Sequence, residues 1–350
     1  TKAESLARLR PLLRLGRIGD QVSFGVEEWQ RHPERMLDRV REVFAHARLV
    51  VRSSAMNEDR WRSSLAGAHT SLLDVPGRDR ASVRSAIGEV VDSYSARAPE
   101  DQILVQRMLS GVTMSGVVMT RTPTIGAPYY VICFDTSGST ASVTSGTGGS
   151  RTVFLLRGEK PRTDFPGELD PLLDAVRELE SLVGHDSLDI EFAFTDGGPP
   201  HILQVRPIAV TRTGQPVDDA KLAEGLRDSM RYFKQLGRPS AIAKGSTTQL
   251  SVMADWNPAE IIGTHPHPLA ISLYRHLITD SVWQEARGKM GYQPVPHTPL
   301  MITFGGQPYI DVRASFNSFL PTGLPADTRH RLVNAWLDRL EQHPEFHDKV

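Results

Sequence analysis

Apolar side chains recur along this chain in two rhythms, one of helices and one of strands. Leu6, Leu9 and Leu13 fall at helical spacing, and Pro11 marks a kink or a stop. Trp29 to Ala47 keeps that rhythm with Met36, Val40 and Phe44 inward, then runs into the strand-like "RLVVR" (48–52). "HTSLLDV" (69–75) predicts a second strand and Gly77 a turn. Val83, Ile87, Val90, Val91 and Tyr94 line one face of a helix from Arg80 to Ala96. Three short β-rich runs follow, "QILVQRML", "SGVVMTR" and "PYYVICFD", and then a polar loop, "TSGSTASVTSGTGGS". Beyond it the pattern predicts a strand at "TVFLL", a helix around Leu172 to Val183, and a hairpin, "LDIEFAFTDGGPPHILQVRPI". Asp196-Gly197-Gly198 between alternating arms is a strong hairpin signal.

Helices mixed with antiparallel strands give an α+β class. The stretch 213–245 is polar, charged and glycine-containing, and reads as a linker. After it, "HPLAISLYRHLITDSVW" predicts a helix and "PYIDVRASF" a strand. Thr328 to His343 predicts a closing helix with Leu332, Trp336 and Leu340 inward.

Composition narrows the function classes. Among 350 residues, 40 basic and 41 acidic side chains leave a net charge of −1, which gives no electrostatic case for nucleic-acid or membrane binding. The 12 histidines are nowhere spaced like a zinc site, and a single cysteine, Cys133, excludes an internal disulfide framework. A reducing cytoplasm is the expected compartment. No apolar run approaches the roughly 18 residues of a membrane helix. Thr1 in place of Met, and a helix-like end at Val350, lead to the expectation of a piece of a longer protein.

Candidate chemistry concentrates in the hairpin. Gln204 and Arg206 are two apart on one arm and share a face, as do Asp189 and Glu191 on the other. Antiparallel pairing can therefore bring Glu191 beside Gln204 and Arg206. A carboxylate and an amide oxygen suit Mg²⁺, and a guanidinium suits phosphate. Arg52, at the end of "RLVVR", stands open to two readings: an ion pair with the protein's own carboxylate, or a phosphate contact. Either arginine found buried against a native carboxylate, or pointing away from the cleft, would bring the phosphate reading down.

Four segments in register then resemble a known family. "VRSSAMNED…SLAGAHTSLLDV", "ILVQRML…SGVVMTR" and "DIEFAF…ILQVRPI" look like the nucleotide-binding domain of phosphoenolpyruvate synthase, pyruvate phosphate dikinase and rifamycin phosphotransferase. "TKAESL" resembles the family's opening motif without its preceding glycines. The resemblance implies a two-lobed ATP-grasp domain, with a first lobe at 1–110 and a second at 111–212. The linker 213–245 and part of a second, mixed α/β domain at 246–350 would follow. It also implies ATP and Mg²⁺ as cofactors. Lys2 and Arg52 would hold phosphates, with Thr70 or Ser71, after Gly67, lining the nucleotide pocket. Gln106 and the backbone near Met108 would edge the adenine. Glu191 and Gln204 would ligate the metal, and Arg206 would neutralise the transferring phosphate. No Walker A sequence competes with this reading.

Family members split ATP into AMP, phosphate and a phosphohistidine on a swivelling domain. None of the 12 histidines here has that histidine's glycine-rich context, so the expectation is a partner domain outside the chain. Residues 251–283 and 305–321 resemble the middle segment of L-glutamine kinases of phosphoramidate capsule biosynthesis, and 130–146 fits that subgroup. L-Glutamine is then the expected small-molecule acceptor. Arg313 with Asp255 or Asp311 are its candidate contacts, beside Asn257. The alternatives are a non-catalytic ATP-binding or sensing module, and a relative acting on pyruvate or an antibiotic.

Overall fold

The structure is a computed structural model in which residues 1–55, 71–94, 101–138, 150–160, 165–208, 218–252 and 257–348 are described. The chain forms two compact units, Thr1–Asp219 and Ala220–Val350.

The first unit contains two antiparallel sheets. One is four-stranded and joins β1 (Gln21–Gly25), β2 (Arg48–Ser54), β3 (Ser71–Pro76) and β4 (Gln102–Arg107) in the order β1-β4-β2-β3. After the N-terminal helix α1 (Lys2–Leu9), helices α2 (Val26–Arg31), α3 (Pro33–Phe44) and α4 (Arg80–Asp92) supply this sheet with a core. Met36, Val40, Phe44, Ile87 and Val90 pack there against Leu49, Val51, Ile103 and Val105. The helix expected over Trp29–Ala47 is two helices, because Pro33 has no N–H to continue the first and instead occupies the opening turn of the second.

The other sheet is five-stranded, in the order β7-β6-β5-β8-β9. Its strands are β5 (Val112–Met119), β6 (Tyr129–Asp135), β7 (Arg151–Leu156), β8 (Leu188–Thr195) and β9 (His201–Pro207). Helix α5 (Asp170–Val183) covers one face with Leu172, Leu173, Val176 and Leu179, against Ile132, Phe134, Ile190, Phe192 and Val205. Ala3, Leu6 and Leu9 of α1 belong to this same core. The first residues of the chain, expected in the first lobe, thus pack with the second sheet. Two further bonds tie α1 to the four-stranded sheet: the Ala3 amide donates to Ser54 Oγ at 3.0 Å, and the Gln21 side chain donates to the Ala3 carbonyl at 2.7 Å.

The second unit is built around a three-stranded sheet, β10 (Leu250–Ser251), β11 (Met301–Phe304) and β12 (Gln307–Asp311), in the order β10-β12-β11. Residues 219–236, inside the expected linker, form helix α6 (Asp219–Leu236). Leu222, Leu226, Met230 and Phe233 give it one apolar stripe, which the polar composition conceals; no residue of this helix is buried. Helices α7 (Pro258–Ile262) and α8 (Pro268–Tyr274) follow, then a π-helical turn, Arg275–Thr279, and α9 (Val282–Lys289), so the single helix expected over 267–283 is interrupted. The strand expected over 308–316 ends at Asp311, whose side chain accepts the Ala314 amide and starts helix α10 (Val312–Asn317). In the closing helix α11 (Ala326–Gln342), Val333, Leu337 and Leu340 are buried, with Leu332 and Trp336 at their flank. Among the described residues no helix is long and apolar enough to cross a membrane.

Candidate functional site

The hairpin β8–β9 sets Asp189 opposite Arg206 and Glu191 opposite Gln204. All four side chains therefore share one face, while Ile190, Phe192 and Val205 on the other are sealed in the core. The turn closing the hairpin uses Gly197 in the left-handed region, at φ 70°, where a side chain would be strained. A register shift follows Glu191, so the ladder is regular only where the polar residues pair. Gln204 is 3% exposed.

Arg52 reaches this face from the other sheet. It lies on β2, opposite Leu104 of β4 and Ser71 of β3, and its Nη2 donates to Glu191 Oε2 at 2.9 Å. Arg206 donates to Asp189 Oδ2 from Nε at 2.8 Å and stands 2.6 Å from it at Nη2. The two carboxylates are two positions apart on one strand, Glu191 holding Arg52 and Asp189 holding Arg206. Each arginine is held by a carboxylate of the protein, the arrangement that weighs against a ready-made phosphate site.

Electrostatics separates the two acids. Burial works to raise the Glu191 carboxyl, but the charges of Arg52 and Lys2, the hydrogen bond from Arg52 and the charge of Arg206 outweigh it and hold it below the ordinary range. Asp189 moves the other way: its burial exceeds what Arg206 restores, and the neighbouring Glu191 charge pushes it further up. Lys2, on α1 and 6% exposed, thus belongs to the charge cluster around Glu191. It is there because Ala3, Leu6 and Leu9 anchor its helix in the core of the five-stranded sheet.

Beside the Arg52–Glu191 pair lies a cavity of about 270 Å³. Val50, Leu73, Ile202 and Leu203 give it apolar walls, Gln106, Met108 and Leu109 also line it, and Arg52, Ser71, Glu191, Asp20 and Arg107 are among its polar groups. The Met108 amide donates to the Arg48 carbonyl at 2.8 Å and is already used by the backbone. Gln106 is half-buried on β4, between Gln21 and Val50. A cleft with apolar walls and a few convergent charges is the usual form of a small-molecule site.

Lys2, Arg52, Ser71, Gln106, Glu191, Gln204 and Arg206 all belong to the two sheets or to the helix tied to them, and Met108 directly follows β4. Gly67, Thr70 and Asp255 lie outside the described residues. Asp311 and Arg313 serve other ends. Asp311 Oδ1 accepts the Ala314 amide at 3.0 Å and the Thr248 hydroxyl at 2.6 Å. Arg313 donates to the carbonyls of Arg238 and Leu236, both at 2.7 Å, at the end of α6. Asn257 caps α7 through the Glu260 amide at 3.3 Å.

Two groups in or beside the site have no role in the sequence reading. Asp189 is the partner of Arg206, and its place two residues before Glu191 was the available signal. His201 lines the cavity and is held below its ordinary pKa by burial and by the charge of Arg17. No spacing pattern marks it. Among the described residues no group of three or more His, Cys, Asp or Glu side chains is arranged to hold a metal ion. The oxygens of Glu191, Gln204 and Asp189 are a hard donor set that suits Mg²⁺ only with outside ligands, such as phosphate oxygens and water, completing the shell.

No family model matches the chain, and no curated protein matches it. Several solved structures show a partial likeness. The D-alanine-D-alanine ligase from Coxiella burnetii aligns at 14% identity over 59% of this chain and 47% of its own, with a TM-score of 0.34. PH1788 from Pyrococcus horikoshii aligns at 13% identity over 59% of this chain and 88% of its own, with a TM-score of 0.37. For the D-cycloserine synthetase DcsG the values are 9%, 65%, 70% and 0.34. The chain spans about half the length of the Coxiella ligase and of the one from Helicobacter pylori, of which 50% is covered. Scores this low assign neither a family nor an activity to this chain.

Proposed function

We propose that residues 1–212 form an ATP-grasp-type nucleotide-binding domain, and that the parent protein is an ATP- and Mg²⁺-dependent phosphotransferase of the phosphoenolpyruvate synthase kind. The observation that carries the reading is the Arg52–Glu191 bridge between two sheets, with Gln204 opposite Glu191, at the edge of a cavity with apolar walls.

The pairing of both arginines with carboxylates is met by an exchange of partners. Glu191 and Gln204 would hold the metal, and Mg²⁺ when bound supplies neutralising charge to the triphosphate. Arg52, Lys2 and Arg206 would then turn from carboxylate to phosphate oxygens. That exchange keeps each guanidinium in a charge-assisted bond, worth about 1.5–3 kcal/mol. Apolar walls at Val50, Leu73 and Leu203 would take the base, with Gln106 and the Met108 carbonyl at its edge; the Met108 amide is not part of this role.

The finer reading is an AMP-forming reaction through a phosphohistidine on a domain outside this chain, with the side-chain amide of L-glutamine as acceptor. It is supported by the motif resemblance alone, and neither Asp311 nor Arg313 is used in it. The test is calorimetric titration of Mg-ATP into wild type and Arg206→Ala, followed by product analysis of the full-length protein with and without glutamine. A tenfold or greater loss of affinity in the variant and AMP among the products are the expected results. Unchanged affinity would remove Arg206 from the site, ADP as sole product would overturn the dikinase-type reaction, and tight binding with no turnover on any acceptor would make the chain a nucleotide-sensing module.

A further inference from the structure

His201 borders the cavity beside the Arg52–Glu191 pair, and the register of the β8–β9 hairpin fixes the face on which it stands. It lies opposite Ala193, two positions beyond Glu191, so its side chain shares the face of Glu191 and Thr195 while Phe192 and Ile202 go to the core. Its Nε2 stands 3.4 Å from the Thr195 hydroxyl, a long contact through one edge of the ring. His201 makes no aromatic ring contact among the described residues. Among the described residues that line the cavity, it alone carries a ring. The four-stranded sheet takes the same step. Val50 is two positions from Arg52 on β2, opposite Gln106, and both line the cavity. The cavity thus runs from the Arg52–Glu191 bridge to Val50 and Gln106 on one sheet and to His201 on the other. Each lies two residues along, roughly 7 Å of strand. Burial and the charge of Arg17 hold the half-buried imidazole below its ordinary pKa, so the ring is neutral at neutral pH.

We propose that His201 is the stacking platform for the nucleobase in this cavity, a flat ring set against the base where the other apolar wall residues carry none. This role rests on the nucleotide reading of the cavity. A neutral imidazole lies against a heterocycle without placing a charge in the wall, and stacking on a side-chain ring tolerates any base, because every base has a π-face. His201 therefore contributes affinity for a base as such and leaves its identity to the hydrogen-bonding edge at Gln106 and Met108. Its place two residues from the bridge sets it on the base and not on the phosphates. Removing the ring should then separate nucleotide binding from triphosphate binding.

The experiment titrates Mg-ATP and Mg-tripolyphosphate, which has the phosphates without a base, into the full chain by calorimetry, with wild type, His201→Leu and His201→Phe. Leucine keeps apolar bulk at this strand position and phenylalanine keeps a ring; urea midpoints verify that both variants are folded. Mg-ATP binding should weaken on the order of tenfold in His201→Leu, the scale of one lost base stack, and be retained in His201→Phe. Tripolyphosphate affinity should be equal in all three. In wild type the carbon-bound ring protons of His201 should move upfield on adding Mg-ATP but not Mg-tripolyphosphate, the ring-current signature of stacking, which a merely structural histidine would not give. That shift is read without any substitution, so it decides even where a variant fails to fold. Equal Mg-ATP affinity in wild type and His201→Leu, a parallel loss of tripolyphosphate binding, or no upfield shift on Mg-ATP binding overturns the role and leaves the nucleotide reading standing. Absence of Mg-ATP binding by wild type removes the nucleotide reading and the role with it.

Discussion

Arg52 and Glu191 stand 139 positions apart in the chain and meet at 2.9 Å, joining the central region of one sheet to the polar face of another. Their side chains are 16% and 20% exposed, so most of their interaction is shielded from bulk water. Removing one partner leaves a largely buried charge without its counter-ion, the more costly half of any such deletion. Arg52→Gln is expected to destabilise the first unit by about 1–3 kcal/mol. Glu191→Gln should cost less than the charge deletion alone suggests, because the amide keeps a hydrogen-bond acceptor. Urea denaturation of the single and double variants gives the coupling energy; a value near zero would show that the pair does not hold the sheets together.

Opposite pKa directions for two acids on one strand give a titration signature. Glu191 is depressed in the folded chain, so its contribution to stability is present above its unfolded value and is lost as pH falls through the lower, folded value. Asp189 is raised, so its charged form is disfavoured on folding, and that penalty is relieved as pH falls through its folded value. Carboxyl carbon NMR of the nucleotide-free protein should find Glu191 titrating below ordinary glutamates and Asp189 above ordinary aspartates. The reverse order would mean that Arg206, not Arg52 with Lys2, dominates the cluster.

Gly116 on β5 is a packing requirement. A methyl group there would meet the Cys133 carbonyl oxygen at 2.3 Å, and Phe134 Cα and a Phe192 ring carbon at 2.9 Å. Because two of those atoms are backbone, Gly116→Ala is expected to destabilise the five-stranded sheet by about 1–3 kcal/mol, the usual range for overpacking. A shift in the urea midpoint without a change in slope is the expected observation. An unchanged midpoint would show that β5 and β6 can separate at this point at little cost.

Arg313 should prove structural. It is 5% exposed and bonds two carbonyls at the end of α6, so Arg313→Ala leaves both acceptors without that donor and opens a gap under the helix. A loss of about 2–4 kcal/mol in the second unit is expected, with Mg-ATP affinity unaltered. A well-folded Arg313→Ala chain with normal stability and a raised KM for the acceptor would return this residue to the substrate site.

The hairpin was the part most legible in the sequence. Period-two alternation and a Gly-Gly turn fix which residues share a face, and the pairing of Glu191 with Gln204 follows from those alone. Helix boundaries were less legible where a local side chain decides them, as Pro33 and Asp311 do. Helix α6 was hidden because its apolar stripe stays unburied and its composition looks like a linker's. The role of His201 was not legible at all, since nothing about one histidine on a strand says which cavity the strand will border.

What the sequence by itself determined is local: the strands, most helices, the faces they present and the residue types gathered on the β8–β9 hairpin. These depend on neighbours within a few positions, through backbone geometry and the two hydrophobic periods. Only the tertiary structure decided that Arg52 meets Glu191, that Arg206 meets Asp189, and that Lys2 lies in the same charge cluster. Those meetings depend on how whole sheets and α1 pack, and burial then sets the strength and sign of every charge effect, which no spacing along the chain encodes.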